Sequence, residues 1–225
     1  MAEFELHHSP GACSRVSLIA LEEAGVAVTL HRVSLRDGDQ RTPAFRRLNP
    51  KGKVPVLLTG GRVLTETVAI LAFLAQRFPE ARLLPVGDLA GNPWASAQAL
   101  SLLSWCSSGL HPLVTRLRLP QRFCDRPDAP ARVMELARLE MAEQLAVAEG
   151  YLAERPWILG AAWSAADAYL FWIWGRCIEA GFDPVAHPRL ADHARRMHQR
   201  PAVQRALRRE EKRSGLPPAV ATTAP

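Results

Sequence analysis

The stretch that decides the fold runs Asn49-Pro50-Lys51-Gly52-Lys53-Val54-Pro55-Val56-Leu57-Leu58-Thr59-Gly60-Gly61-Arg62-Val63-Leu64-Thr65-Glu66-Thr67. Its two apolar runs flank Thr59-Gly60-Gly61-Arg62, a turn signal that joins them as a hairpin. Proline donates no ladder hydrogen bond, so Pro55 misfits the middle of a central strand. It fits at a strand start as a cis-proline, with an exposed backbone edge beside it at Val54. Thr65-Glu66-Thr67 then opens a helix whose apolar face is Val68, Ile70, Leu71, Phe73 and Leu74.

Upstream, Phe4-Glu5-Leu6-His7-His8 reads as a short strand that stops at the turn cluster Ser9-Pro10-Gly11. A helical pattern covers residues 13–24 and is closed by Gly25. Residues 26–33 alternate like a second strand, and a short helical piece follows at 43–48. The order β-α-β-α-β-β-α, with parallel and antiparallel pairings, predicts an α/β first domain over residues 1–80. A linker rich in Pro and Gly spans 81–92, and everything after it is helical, giving an all-α second domain over 93–212. Long patterns cover 94–117, 129–152 and 165–180, with shorter ones at 188–199 and 202–211. Gly109-Leu110-His111-Pro112 predicts a kink in the first. Tyr169 through Trp174 is apolar all round, the mark of a buried central helix. Ser164-Ala165-Ala166-Asp167 reads as a structural capping box at its start. Residues 213–225, rich in Pro, Ala and Thr, are expected to be disordered.

The chain has 225 residues, 48% of them hydrophobic, and a formal net charge of +6, enough apolar content for a real core. No apolar run approaches the roughly 20 residues of a membrane span, and the acidic start lacks the layout of a signal peptide. The expectation is a cytoplasmic protein, not a membrane or exported one. Four cysteines, Cys13, Cys106, Cys124 and Cys177, form no C-x-x-C, which argues against a zinc ribbon or dithiol motif; no metal is implied. The arginines near the end, Arg195-Arg196 and Arg205 through Arg213, lack interleaved aromatics, so a solvated helix face is preferred to nucleic-acid binding.

Three places carry chemistry. Cys13 stands at the start of the first helix, where free amides and the macrodipole ease ionisation of a thiol; the competing reading is a small buried residue in a turn. Val16 stands three residues on, so no second thiol is available and any redox role is monothiol. Glu66 and Thr67, at a helix opening, could hold the ammonium and carboxylate of a ligand, against plain capping by Thr65. With the Val54–Pro55 edge they make a peptide-binding groove. His111 sits in the expected kink facing a cleft, against a surface or core histidine. Of His7 and His8, next to the Cys13 turn, His8 is expected to face the site.

The segments His8-Ser9-Pro10-Gly11-Ala12-Cys13-Ser14, Asn49 through Pro55, Leu64 through Ile70 and Ser164 through Leu170 together resemble cytosolic glutathione transferases, and the first resembles the bacterial beta class. The resemblance covers about residues 4 to 210. It implies a thioredoxin-like domain on a helical domain, usually as a homodimer, with glutathione as co-substrate and a role in detoxification. It implies that Cys13 contacts the glutathione sulfur and can form a mixed disulfide with it. It further implies that Val54 pairs with the cysteinyl unit beside Pro55 and that Glu66 and Thr67 hold the γ-glutamyl end. His111 lies near the thiol by the same likeness, and Ser164 and Asp167 form a structural box. Lys53 is expected in the glutathione site, and Ser14 and His8 beside the sulfur, where a titrating His8 would give a rate change near neutral pH. This chain departs in having His8 for the usual strand tyrosine, Pro112 beside the histidine where lysine is common, and Gly38 for a loop lysine, leaving the glycine carboxylate to Arg36 or Arg41. The reading is a transferase conjugating glutathione to an apolar electrophile, with thiol–disulfide exchange through Cys13 as a close variant. The alternative is a non-catalytic binding or partner protein of the same fold.

Overall fold

A computed structural model describes residues 3–85 and 93–211. The expected linker is therefore described only to Pro85, and the expected tail lies outside the described residues.

Strand β1 (Phe4–His8) pairs in parallel with β2 (Val28–Arg32) and antiparallel with β3 (Val56–Thr59), which forms the hairpin with β4 (Arg62–Thr65). The sheet order is β2-β1-β3-β4, the thioredoxin-like arrangement. Side chains alternate across a strand, so Phe4 and Leu6 enter a large core with residues of α1 (Ser14–Glu23) and α3 (Thr67–Arg77). On the opposite face Val56 packs with Val33, Phe45 and Val54 in a smaller cluster. Phe45 comes from α2 (Pro43–Leu48), which starts with Thr42 accepting the Phe45 amide at 3.3 Å and a proline in its first turn.

The second half holds α4 (Pro93–Ser104), a π-helical segment (Trp105–Leu110), α5 (His111–Arg118), α6 (Ala129–Tyr151), α7 (Ala165–Glu179), α8 (Pro188–Gln199) and α9 (Pro201–Glu211). Helix α7 is the axis, with every residue from Ala165 to Trp174 buried. Each fully buried large apolar side chain contributes about 1.5–3 kcal/mol, which is why this helix carries the most apolar text. Its start is the expected capping box. Asp167 Oδ2 accepts the Ser164 amide and hydroxyl, both at 2.9 Å, while Oδ1 accepts the Ile158 amide at 2.8 Å and lies 3.0 Å from His193 Nε2.

Two expectations change. The chain around His111 widens into a π-helical segment before continuing as α5, so the proline ring at Pro112, which would clash with a carbonyl four residues back, is accommodated without breaking the helix. The late arginines are also not simply a solvated face. Arg205 and Arg209 both pair with Glu22 of α1, Arg209 reaches the Val28 carbonyl at 2.6 Å, and Arg200 pairs with Glu23 at 2.7 Å. Glu22 is buried, and a buried carboxylate must be paired. The basic text thus locks α8 and α9 onto the first domain.

Candidate active site

The turn Ser9-Pro10-Gly11-Ala12 is closed by Ala12 N donating to the Ser9 carbonyl at 3.0 Å. The Ser14 hydroxyl fastens it, accepting the Ser9 amide at 3.1 Å and donating to the Ser9 carbonyl at 3.2 Å. Gly11 has φ +72, and a Cβ there would lie 3.2 Å from Arg176 Nη1, so only glycine fits easily. Its carbonyl accepts Trp172 Nε1 at 3.0 Å. The turn delivers Cys13 to the N-cap of α1, where its Sγ donates to the Val54 carbonyl at 3.6 Å.

Val54 precedes a cis peptide bond to Pro55, and its main chain lies outside the β1–β3 register, which begins at Val56. The loop before it is organised by Asn49, whose Nδ2 donates to the Lys53 carbonyl at 2.7 Å and whose Oδ1 accepts the Lys51 amide at 3.2 Å. Gly52 has φ +62, and a Cβ would come within 3.0 Å of the Gln40 carbonyl oxygen; backbone cannot yield there, so the position needs glycine. Glu66 occupies the N-cap of α3 with φ +74 and makes no capping bond. Thr65 does not cap either: its hydroxyl and the Glu66 carboxylate both accept from Lys51 Nζ. Thr67 is buried at the first position of the helix.

These parts line a two-lobed cleft between the domains. A first lobe of about 380 Å³ brings together Cys13, Lys53, Val54, Pro55, Glu66, Thr67 and His111, with Tyr169, Ser104 and Ser107 on the helical wall. A second, of about 350 Å³, shares Cys13, Lys53, Val54 and His111 and opens toward Trp172 and three arginines. His111 Nδ1 lies 3.0 Å from the Tyr169 hydroxyl, and the ring stands edge-on to Trp172 at 4.6 Å.

Burial governs the ionisation here. It pushes the Cys13 thiol up to about 11, only partly offset by the neighbouring Thr67 hydroxyl. The expected ease of ionisation at a helix start is not met. The amides of Arg15 and Val16 are occupied by the Ala12 and Cys13 carbonyls, and desolvation outweighs the hydrogen bonds and the Lys53 charge that favour the thiolate. Burial, with the charge of Lys53, lowers His111 to about 4, and burial raises the Tyr169 hydroxyl.

Two expected residues are not brought to the cleft. His8 shares the face of β1 that carries Phe4 and Leu6, is buried beneath α1, and lines neither lobe. Burial, with Arg32 and Arg209, lowers it to about 4, away from the neutral titration expected of it. His7, on the other face, stacks on His31 at 4.7 Å. Ser14 is fully buried and spent on the Ser9 turn, a structural staple. Of the two arginines considered for a carboxylate, Arg41 lines the second lobe and Arg36 does not. Sequence reasoning missed Tyr169, Trp172, Ser104, Ser107 and the organising role of Asn49. The one available signal was a hydroxyl set in the apolar run of α7, since a buried tyrosine must find a polar partner.

A thiol at a helix start, facing the backbone edge before a cis-proline beside a four-stranded sheet and roofed by a helical domain, defines a thioredoxin-like protein built to hold a thiol peptide between two domains. The family comparison specifies it further. Residues 11–77 match the glutathione S-transferase N-terminal domain and 111–201 the C-terminal domain. The chain is 34% identical over 215 residues to glutathione S-transferase GstA of Escherichia coli O157:H7, covering 92% of this chain and 98% of that one. A glutathione transferase homologue from Sulfitobacter, solved with bound glutathione, superposes with a TM-score of 0.84 at 28% identity, covering 93% and 99% of the two chains. A beta-class glutathione S-transferase of Sphingomonas chungbukensis superposes at 0.80 with 33% identity, covering 92% and 98%. The chain belongs to the glutathione S-transferase family.

Proposed function

We infer that this protein is an enzyme that binds glutathione as co-substrate and joins its sulfur to an electrophile. The observation that carries the reading is the convergence of Cys13, the Val54 edge and the Glu66–Thr67 helix opening on one lobe. In our reading glutathione lies extended along Val54. Its γ-glutamyl carboxylate meets Thr67 and the first amides of α3, its ammonium meets Glu66, and its glycine carboxylate meets Arg41 or Lys53. With its thiol held up near 11, Cys13 is a hydrogen-bond donor at pH 7. Aimed at the glutathione sulfur instead of at the Val54 carbonyl, it would stabilise a thiolate there. His111, lowered to about 4, is neutral at pH 7; with its Nδ1 held by the Tyr169 hydroxyl, its other ring nitrogen can hydrogen-bond the glutathione sulfur and help its proton pass to water. With an aryl chloride, a carbon–sulfur bond forms and chloride leaves with the bonding pair.

Disulfide exchange through Cys13 requires its thiolate as the attacking or adducted group, and burial works against that. The conjugation reading is therefore preferred to the exchange variant, and likeness to curated glutathione S-transferases favours it over a non-catalytic binding protein. We further propose a homodimer, with Leu100 of α4 and Leu136, Leu139 and Val147 of α6 as exposed apolar surface that a second copy would cover. A cytoplasmic detoxifying role accords with four cysteines that are all unpaired.

The test is conjugation of 1-chloro-2,4-dinitrobenzene by the wild type, Cys13→Ala and His111→Ala, with glutathione binding followed by calorimetry. Turnover that falls about tenfold or more in His111→Ala, with glutathione still bound, is the expected result. Glutathione binding without turnover in the wild type would leave the binding-protein reading standing. No binding at millimolar glutathione would remove both.

A further inference from the structure

We propose that the second lobe of the cleft selects an acceptor with an anionic group, a carboxylate or sulfonate, on an apolar body. The proposal rests on the transferase reading above and names its acceptor class.

The two lobes differ in charge. Glu66 lines the first, whereas every formally charged side chain lining the second is a cation: Arg41, Lys53, Arg118 and Arg122. Several arginines that pack between elements are committed to carboxylates. Arg15 pairs with Glu210, Arg176 with Glu179, and Arg200, Arg205 and Arg209 with Glu22 or Glu23. At the second lobe Arg118 meets Glu179 only at 3.5 Å, with both side chains nearly half exposed. Among the described residues no carboxylate pairs with Arg41 or Arg122. Four cations around one lobe, with Glu179 the one carboxylate near any of them among the described ion pairs, set up a positive potential that favours an anion there.

Position separates the four. Arg41 and Lys53 belong to the first domain, on the side where the tripeptide lies, and one glycine carboxylate can satisfy them. Arg118 ends α5 and Arg122 ends the short turn Pro120–Arg122, both on the helical wall. These two remain for a second anion. The same lobe is lined by Trp172, Val114 and Leu119, an aromatic and aliphatic surface. Cys13 and His111 line both lobes, so the junction is where sulfur and electrophilic carbon would meet. An acceptor seated there would lay its apolar body on Trp172 and turn its anion outward to the arginine pair, which can bind a carboxylate by paired N–H donors.

Calorimetry on the full chain would compare S-(2-nitrophenyl)glutathione with S-(4-carboxy-2-nitrophenyl)glutathione, which differ by one carboxylate. The same comparison is made between free 4-chloro-3-nitrobenzoate and its methyl ester, with unmodified glutathione titrated alongside. The wild type should prefer the carboxylate member of each pair by about tenfold at low salt, consistent with two partly exposed arginine contacts. The preference should shrink toward parity in 0.5 M salt. In the double variant Arg118→Gln/Arg122→Gln, checked for an unchanged melting profile, it should also fall to about parity. Arg116→Gln, on the same helix but over Phe123 and outside the lobe, should keep it.

No preference in the wild type, or one that survives the double variant, overturns the proposal. So does a second equivalent of glutathione that binds the wild type and is lost in the double variant, because the lobe would then belong to another tripeptide. Absence of any glutathione binding defeats the transferase reading alone, since the unlinked pair still reports on the arginines.

Discussion

The two walls of the cleft are made in different ways. The wall from the first domain consists of short contiguous segments, the Ser9–Ser14 turn, the Asn49–Pro55 loop and the Glu66–Thr67 helix opening, and it offers mainly backbone edges, a hydroxyl and one carboxylate. The helical wall is assembled from side chains far apart in the chain: Ser104 and Ser107 from α4 and the π-helical segment, His111 from α5, Tyr169 and Trp172 from α7. The contrast teaches a division of labour. The first wall would recognise an invariant peptide through backbone edges and a few local side chains, while the second would tune proton transfer and acceptor choice through side chains gathered from distant helices.

If that division holds, the walls should fail differently. The largest effect is expected at the foundation of the helical wall. Asp167→Ala removes a carboxylate that serves four donors and leaves several of them buried without partners. Urea unfolding should register a loss of about 3–5 kcal/mol, beyond what a surface change produces. Next, Glu66→Gln combined with Thr67→Val should weaken glutathione binding about a hundredfold, two charge-assisted contacts at about 1.4 kcal/mol each. Calorimetry would read this, with kcat at saturating glutathione changed much less. Tyr169→Phe should invert the pattern, lowering kcat about tenfold by freeing the His111 ring while glutathione affinity moves less than threefold. Equal effects of Glu66, Thr67 and Tyr169 changes on affinity and rate would erase the distinction between the walls.

Beyond these substitutions, stability itself should depend on pH. His111 on the helical wall and His8 beneath the first are both lowered from 6.5 to about 4. Between those values the unfolded chain binds protons that the folded chain refuses, so stability is fully present above pH 6.5 and is lost as pH falls toward 4. Thermal melts should show a lower Tm at pH 5 than at pH 7, and His8→Gln or His111→Gln should each flatten that dependence. With His8, His111 and Cys13 all moved out of that range, a rate change between pH 5.5 and 8 is expected to follow the glutathione sulfur, not these three groups.

How far each wall could be read from the text follows from its construction. Pro55 within a strand pattern, the Thr59–Arg62 turn and the Thr65–Thr67 helix start are local signals, and each element formed within a few residues of where its pattern placed it. The residue resemblance added the correspondence of Cys13, Val54, Glu66, Thr67 and His111, which the fold gathers into one cleft. His8 and Ser14 lie next to that cleft in sequence but not in space. The pleat turns His8 inward with Phe4 and Leu6, and the Ser9 turn consumes the Ser14 hydroxyl. Tyr169 and Trp172 were hidden inside a run whose apolar content already accounted for them as core.

By itself the sequence determined the order of elements, the division into an α/β and a helical domain, and the cis-proline edge, because turn chemistry and periodicity act over only a few residues. Only the tertiary structure decided which face of β1 the histidines occupy and that the late arginines would be spent on Glu22 and Glu23. It also decided that the Cys13 thiol would be held protonated. Those outcomes depend on burial and on charges brought together across more than a hundred residues, which no local pattern encodes.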